Sequence, residues 1–457
     1  MLFYILLARP VHAHTSEGGF VLLLPTDMYI ASGVLAVALT VAMLIALPAA
    51  VTSNLFQPFP LSKPLFGGAV RMRFELSTSL LSAGVLLWLL YVGLNGPRDP
   101  LANPLPLSIW SIGWIGFVFL QGMLGDLWRV FNPWRGLVWI AHNALGLHPF
   151  ARFPRWLGQS IGLVSFGVIV GFLLADVAPS DPARLARFVG LYWLVGLVGR
   201  IIFGSRWARR ADGLTMLLSL YAKVGVFARR GGKICLGLNG WQIARRRPLP
   251  IGISVLCLLM LGSGIFDGLN ETFWWLAKIG INPLEFPGRS AVIWQTLTGL
   301  VATNLALIAL FCLALWIGVR LARVDIPFAK AFCIFAPTVL PIALGYHFAH
   351  YFTSFLVEAQ YALVAASDPW ATGQDFLGLG TFYVSTGFFN SQDSVRVLWL
   401  CQAGGIVVGH MVALLLSHAV ARKHFGNRAT LSQVPLAMFM IFCTFIGLWL
   451  LASPRGF

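Results

Sequence analysis

Ten long apolar stretches, almost free of charge, run through this 457-residue chain. They leave few folds open. Backbone amides and carbonyls in hydrocarbon must be satisfied within the segment itself, so such stretches become helices. They lie at roughly 28–50, 78–95, 107–125, 157–178, 186–204, 250–267, 291–319, 329–357, 394–421 and 432–452. Each is long enough to cross a ~30 Å hydrocarbon core at ~1.5 Å per residue. Composition agrees: 58% of residues are hydrophobic, 11% are charged, and the mean hydropathy is +0.80. A soluble protein of this length does not combine those values. The expected fold is all-α, a polytopic integral membrane helix bundle with about ten transmembrane helices. It forms a single membrane domain over 14–457, with no soluble domain and no clear internal repeat.

The net charge of +16 and the isoelectric point near 10.2 raise the question of nucleic acid. The placement of the charges answers it. Of the 32 Lys and Arg, 23 fall in the loops 51–77, 126–156, 205–249, 320–330 and 422–431. Eight lie on the opposite side, and Arg200 lies inside a span. Basic loops stay in the cytoplasm, so both termini are expected outside. Twelve of the 16 acids fall on or near the outer side. Basic charge therefore sets topology and touches anionic lipid. The lipid bilayer is the expected partner, and nucleic acid is not.

Residues 1–13 end in Val11-His12-Ala13, a small-residue cleavage pattern. The segment is short for a signal peptide, and Arg9 follows its apolar run instead of preceding it. It reads as a leader with a truncated start. Cleavage after it exposes His14, whose amine and imidazole together suit copper. The six cysteines form no CxxC pair, so they imply neither a disulfide framework nor a zinc ribbon.

Between the spans, 205–249 carries Leu214, Leu217, Leu218, Tyr221, Val224 and Phe227 at helical spacing, flanked by arginines. An amphipathic helix lying on the membrane surface fits that pattern. Residues 137–150 read as a similar surface helix. The outer loops 268–290 and 358–393 are longer than bare connections need. The second holds Glu358, Asp368, Asp375 and Asp393. Long loops either bind ligands or cap a bundle. The motif Gly125 to Arg135 reads as structural, with Asp126 paired to Arg129 or Arg135.

Histidines inside the last apolar helices point to chemistry, because an intramembrane imidazole is costly to bury. His347 and His350, at i and i+3, share a helix face. His347 lies ~16 Å below Glu358 and His410 ~15 Å above Arg422, which puts both near the midplane. Three imidazoles at similar depth suggest a His₃ metal site with an open position, for Zn, Cu or Fe. The plain alternative is that each ring bonds one carbonyl and serves packing. His418 lies nearer the inner surface, and His424 is cytoplasmic. Histidine spacings of 3 and 8 do not match a two-haem bundle, though a single haem between His347 and His410 is compatible. Gly405 and Gly409 form GxxxG, which brings His410 close to a partner helix. Asp267 and Glu271, at i and i+4, offer a further ligand or general base if the helix continues past Gly268. Tyr346 or Tyr351 offers a hydroxyl to developing charge.

Several of these stretches resemble bacterial multi-pass membrane proteins known as fenitrothion hydrolases, which degrade organophosphorus esters. The matching pieces are His14, the Phe131-Asn132-Pro133-Trp134-Arg135 turn, and Phe266-Asp267-Gly268-Leu269. The fullest match is the C-terminal block: His347 to Tyr351, Gln360, Ser367-Asp368-Pro369, and Gly409-His410 with His418. The resemblance implies a bacterial inner-membrane enzyme that hydrolyses (thio)phosphotriesters, with an apolar small molecule as substrate. It brings no catalytic assignment of its own. Residue chemistry then puts a metal on His347, His350, His410 and Asp267, with Asp267 and Tyr351 as catalytic groups. His14, Glu271, Tyr346 and His418 stand as secondary candidates. A metal-ion or proton-coupled transporter using the same histidines is the alternative reading.

Overall fold

The computed structural model describes residues 21–46, 54–62 and 67–455. The proposed leader and His14 lie outside these residues. The chain is an all-α polytopic bundle. Among the described residues, eight helical stretches are long and apolar enough to cross a membrane. One of them, Gln392–Ala452, turns back at Gly426–Arg428 and holds two helices. The helix Ser160–Ala175, at 16 residues, falls below that length. Splitting the first and adding the second gives the ten helices expected. They are α1 (Thr26–Ala46), α2 (Gly68–Asn95), α3 (Pro104–Leu124), α4 (Ser160–Ala175) and α5 (Pro182–Phe203). The second half supplies α6 (Ile251–Asn270), α7 (Ile293–Leu321), α8 (Leu340–Ser367), α9 (Gln392–Phe425) and α10 (Ala429–Ala452).

Helices α8 and α9 pack backbone against backbone. A Cβ on Gly345 would stand 2.6 Å from the Gly405 carbonyl oxygen, and one on Gly409 would stand 2.7 Å from that of Pro341. The GxxxG motif therefore has its packing role, with Gly345 as the partner on α8. Approaching α8 from the basic-loop side, Phe328–Phe335 and the 3₁₀ turn Ala336–Val339 lead into it. At its other end α8 runs to Ser367, so Glu358 lies within the helix and not in a loop. Glu358 accepts a hydrogen bond from Ser111 of α3. The loop that follows is ordered by its own acids. Asp368 accepts from the amides of Thr372 and Gly373, and Asp375 from those of Leu379 and Gly380. The Ser367 hydroxyl, followed by the Gly380 and Leu379 amides, holds the Asp375 carboxyl below its usual range.

Helix α3 contains an 11-residue π-helical run, Leu107–Phe117. Long π-helical stretches are uncommon and cluster at functional sites. This one faces α8 and holds Ser111 and Trp114.

The stretch 205–249 departs from the surface helix expected. It forms Ser205–Arg210, then Gly213–Tyr221, then two strands, β2 (Phe227–Arg230) and β3 (Lys233–Leu236). With β1 (Phe59–Ser62) these make a small antiparallel sheet in the order β1-β3-β2. Pro60 is tolerated there because β1 is an edge strand. The helix Gly213–Tyr221 does not lie on the surface. Met216, Leu217, Leu218, Leu220 and Tyr221 are all buried, and Gln121 of α3 donates to the Leu218 carbonyl at 2.9 Å. Asp212 caps the helix through the Thr215 amide and is ion-paired to buried Arg200 of α5. Tyr192 donates to the other Asp212 oxygen at 2.8 Å, and the Arg200 guanidinium lies 4.1 Å from the Trp134 ring centre. Buried charges persist only when paired and hydrogen-bonded. Here the pair pins the helix inside the bundle.

The turn after this helix places Lys223 in a confined position. Burial pushes its ammonium down to about 8, and Arg246 adds to that push. The folded value lies below the ordinary 10.5, so the charged form is penalised by folding. That penalty is full below pH 8 and vanishes above pH 10.5. Lys223→Met is therefore expected to raise the melting temperature at pH 7 and to give no gain at pH 11. A pair of thermal melts at those pH values checks it.

The motif 125–135 is structural, as expected, but its acid partner is different. Glu75 of α2, 4% exposed, pairs with Arg71, Arg129 and Arg135, the Arg129 contact being 2.8 Å. A helix passing alongside supplies the carboxylate, which closeness in sequence could not reveal. Of the surface helix expected over 137–150, only the first half forms, as part of Arg135–Asn143, and 144–150 are turn and coil.

Candidate functional site

Helix α6 continues past Gly268 to Asn270, with Glu271 as its C-cap residue. Asp267 therefore points into the bundle, 8% exposed, while Glu271 lies 4.0 Å from the Arg455 guanidinium and does not line the cavity. The i, i+4 pair does not act as one unit. Asp267 instead meets α8. Its Oδ2 accepts the Tyr351 hydroxyl and lies 3.3 Å from His350 Nε2.

His347 sits one turn along α8 from this group. Its ring centre lies 5.0 Å from that of Tyr351, 6.0 Å from that of Trp114 and 6.4 Å from that of Tyr221. Trp114 comes from the π-helical run and Tyr221 from the inserted helix. Among the described residues, the buried His347 Nε2 makes no well-formed hydrogen bond, and the Trp114 and Ile115 carbonyls of the π-helical run lie beside its ring. A buried polar atom left so costs ~1–3 kcal/mol, and a bound group or water that meets it recovers that energy.

These side chains line one small cavity, with about 40 Å³ of room for water-sized groups. Asp267, His350, Tyr351 and His347 supply its polar wall, and Ser263 a hydroxyl. The rest is apolar, from Phe166 and Val170 of α4, Val118 of α3 and Leu217 of the inserted helix. A few polar groups converging in an apolar cavity is the usual form of a small-molecule site.

His410 does not reach this cavity. It is fully buried, and its Nδ1 bonds the Ile406 carbonyl at 2.8 Å, one turn back on its own helix. The Tyr346 ring lies 6.0 Å from its ring and lines the cavity from the α8 side. Equal depth in the membrane put His410 level with His347, but its side chain packs behind Tyr346. Tyr346 itself donates to the Cys443 carbonyl of α10, so its hydroxyl is turned away from the cavity. The Tyr351 hydroxyl, by contrast, meets Asp267 at the cavity wall. His418 lines a different, smaller pocket with Leu44, Gln433 and Val434, between α1, α9 and α10.

The donor types in the cavity suit a divalent transition metal. As arranged, His350 Nε2 and Asp267 Oδ2 are turned toward each other. Among the described residues, no group of three or more His, Cys, Asp or Glu is placed to hold an ion. The three-histidine site is thus not what the fold brings together. Sequence reasoning had also left out Trp114, Tyr221, Ser263 and the π-helical wall. No family model, curated protein or solved structure matches the chain.

Proposed function

We propose that this is a membrane-embedded hydrolase of apolar (thio)phosphotriesters such as fenitrothion, working in the cavity between α3, α6 and α8. The observation that carries the reading is the Tyr351–Asp267–His350 cluster beside His347, whose Nε2 makes no well-formed hydrogen bond. A carboxylate buried inside a span is expensive, and helix packing alone does not require one. A carboxylate that orients an imidazole and compensates its charge is the arrangement that makes histidine an effective base.

His350, held against Asp267 through Nε2, accepts the proton of a water. The water oxygen forms a bond to phosphorus, and the phosphorus–aryloxide bond breaks with its electron pair on the aryl oxygen. The nitrophenol leaves as its anion, and the proton on His350 departs with the products. Asp267 offsets the imidazolium that forms, and His347 Nε2 accepts a hydrogen bond from the remaining hydrogen of the water, which stays on the phosphorus-bound oxygen and leaves with the diester acid. A bound Zn, Cu or Fe ion would add Lewis-acid polarisation of the phosphoryl group. Asp267 and the His347 nitrogen are the donors it would use.

The test is nitrophenolate release from a dialkyl nitrophenyl thiophosphate by the protein in nanodiscs. His350→Ala and His347→Ala are each expected to lose at least ~100-fold in kcat/KM. His410→Ala is expected to stay within about threefold, because its ring packs behind Tyr346. No turnover by the wild type, or equal loss in all three variants, sinks the proposal. Elemental analysis of the same samples assigns the metal. A stoichiometric ion lost in His347→Ala and kept in His410→Ala belongs to this cavity. An ion kept in both variants, or found in none, leaves hydrolysis to the His350–Asp267 pair. The transporter alternative needs polar groups continuing toward the basic-loop side. His418, its one candidate there, opens into a separate pocket, which favours the hydrolase.

A further inference from the structure

A second and roomier space, about 730 Å³, lies between α4, α6 and α7. Its wall is almost wholly apolar, and it opens at the level of the apolar helices. Phe166, Val170 and Ser263 line both this cleft and the cavity that holds Asp267 and His350. Two side chains of α4 and one of α6 therefore face both spaces. Glycines keep the cleft open. A Cβ added to Gly167 would meet nothing within 4 Å, and one added to Gly171 would meet only Leu297 Cδ2, at 3.5 Å. Both backbones are ordinary helix, so the missing side chains are space and not a conformational need. At one end of the cleft stand Arg184 and Asp176, joined at 2.6 Å. Arg289 donates to the Leu173 and Asp176 carbonyls at the same end of α4. The cleft is thus long and apolar with a polar, arginine-bearing end.

We propose that this cleft is the lateral access and docking site for the ester substrate, which enters from the lipid phase. Its apolar arms lie along Gly167 and Gly171, and its reacting centre passes the Phe166–Val170–Ser263 wall to reach His350. This rests on the hydrolase reading for the identity of the occupant. The wall it shares with the reaction cavity distinguishes the cleft from a mere groove for bulk lipid. An apolar ester concentrates in the bilayer, so a side opening meets substrate at far higher concentration than an aqueous mouth does.

The experiment uses a diazirine-bearing dialkyl aryl phosphotriester, photolysed on the full protein in phosphatidylcholine nanodiscs, with labelled peptides mapped by mass spectrometry. Labelling is expected within 164–175 and 297–305, and at least fivefold lower with excess unlabelled triester. The double variant Gly167→Leu/Gly171→Leu, filling open space, should melt with the wild type but lose that labelling and at least tenfold in kcat/KM. His347→Ala should keep the labelling while losing turnover. Labelling that excess triester does not reduce marks the cleft as a bulk-lipid groove and overturns the proposal. Normal turnover in the glycine double variant overturns it too, and leaves the hydrolase reading standing. Competed labelling of the cleft without turnover by the wild type removes the hydrolase reading and keeps the docking site.

Discussion

Asp267→Asn is expected to lower kcat/KM for triester hydrolysis by about 10²–10⁴-fold. One carboxylate oxygen takes the Tyr351 hydroxyl and faces His350 Nε2. An amide of the same size brings no negative charge to offset an imidazolium, and it presents a donor where an acceptor stood. The imidazole then loses both its orientation and the charge that favours its protonated form. Tyr351→Phe removes one hydrogen bond and leaves the charge, so its loss should be nearer tenfold. Rates per folded enzyme, measured beside thermal melts, distinguish catalysis from architecture. If Asp267→Asn melts lower but turns over normally, the carboxylate is a packing element and the proposed chemistry fails.

Gly409→Val is expected to abolish stable folding, or to destabilise by at least ~3 kcal/mol. The clash is with the Pro341 carbonyl oxygen, 2.7 Å from the new Cβ, and the Gly345 Cα lies 3.4 Å away. Backbone atoms cannot swing aside as a side chain can. Helices α8 and α9 must separate, and separation forfeits the close contact that holds helices together in lipid. Gly404 is the matched control, on the same helix, where a Cβ would meet nothing within 4 Å. Gly404→Ala should melt within a degree or two of wild type. Similar behaviour of the two variants in detergent melts and expression yield would show that the α8–α9 contact is not tight.

Much of the site could be read before the fold was known. His347, His350 and Asp267 are polar outliers in apolar stretches, and the cost of burying them makes them conspicuous. Their meeting needed a contact between α6 and α8, which spacing within one helix cannot supply. His410 shows the limit. Its depth follows from counting residues at ~1.5 Å each, but the direction its side chain faces depends on how α9 is rotated against its neighbours. That rotation is set by Gly345, Gly405 and Gly409, and it turns His410 behind Tyr346. The stretch 205–249 shows another limit. Leu217, Leu218 and Tyr221 do form an apolar helix face, but periodicity reports only that the face is buried. Whether lipid or protein covers it was decided by the Arg200–Asp212 pair. The π-helical run leaves no trace in hydropathy.

The sequence by itself determined the all-α class, the ten helices and which side carries the basic loops, though the start of α2 and both ends of α8 lie about ten residues from the limits expected. Hydrocarbon forces these outcomes, since a long apolar segment must satisfy its own backbone and a charged loop stays in water. Tertiary structure alone decided that Asp267, His350, Tyr351 and His347 share a cavity, that Tyr221 and Trp114 help enclose it, and that His410 and His418 do not. Those are questions of helix rotation and neighbour identity. They are settled by close packing between segments far apart in the chain, and no local pattern encodes them.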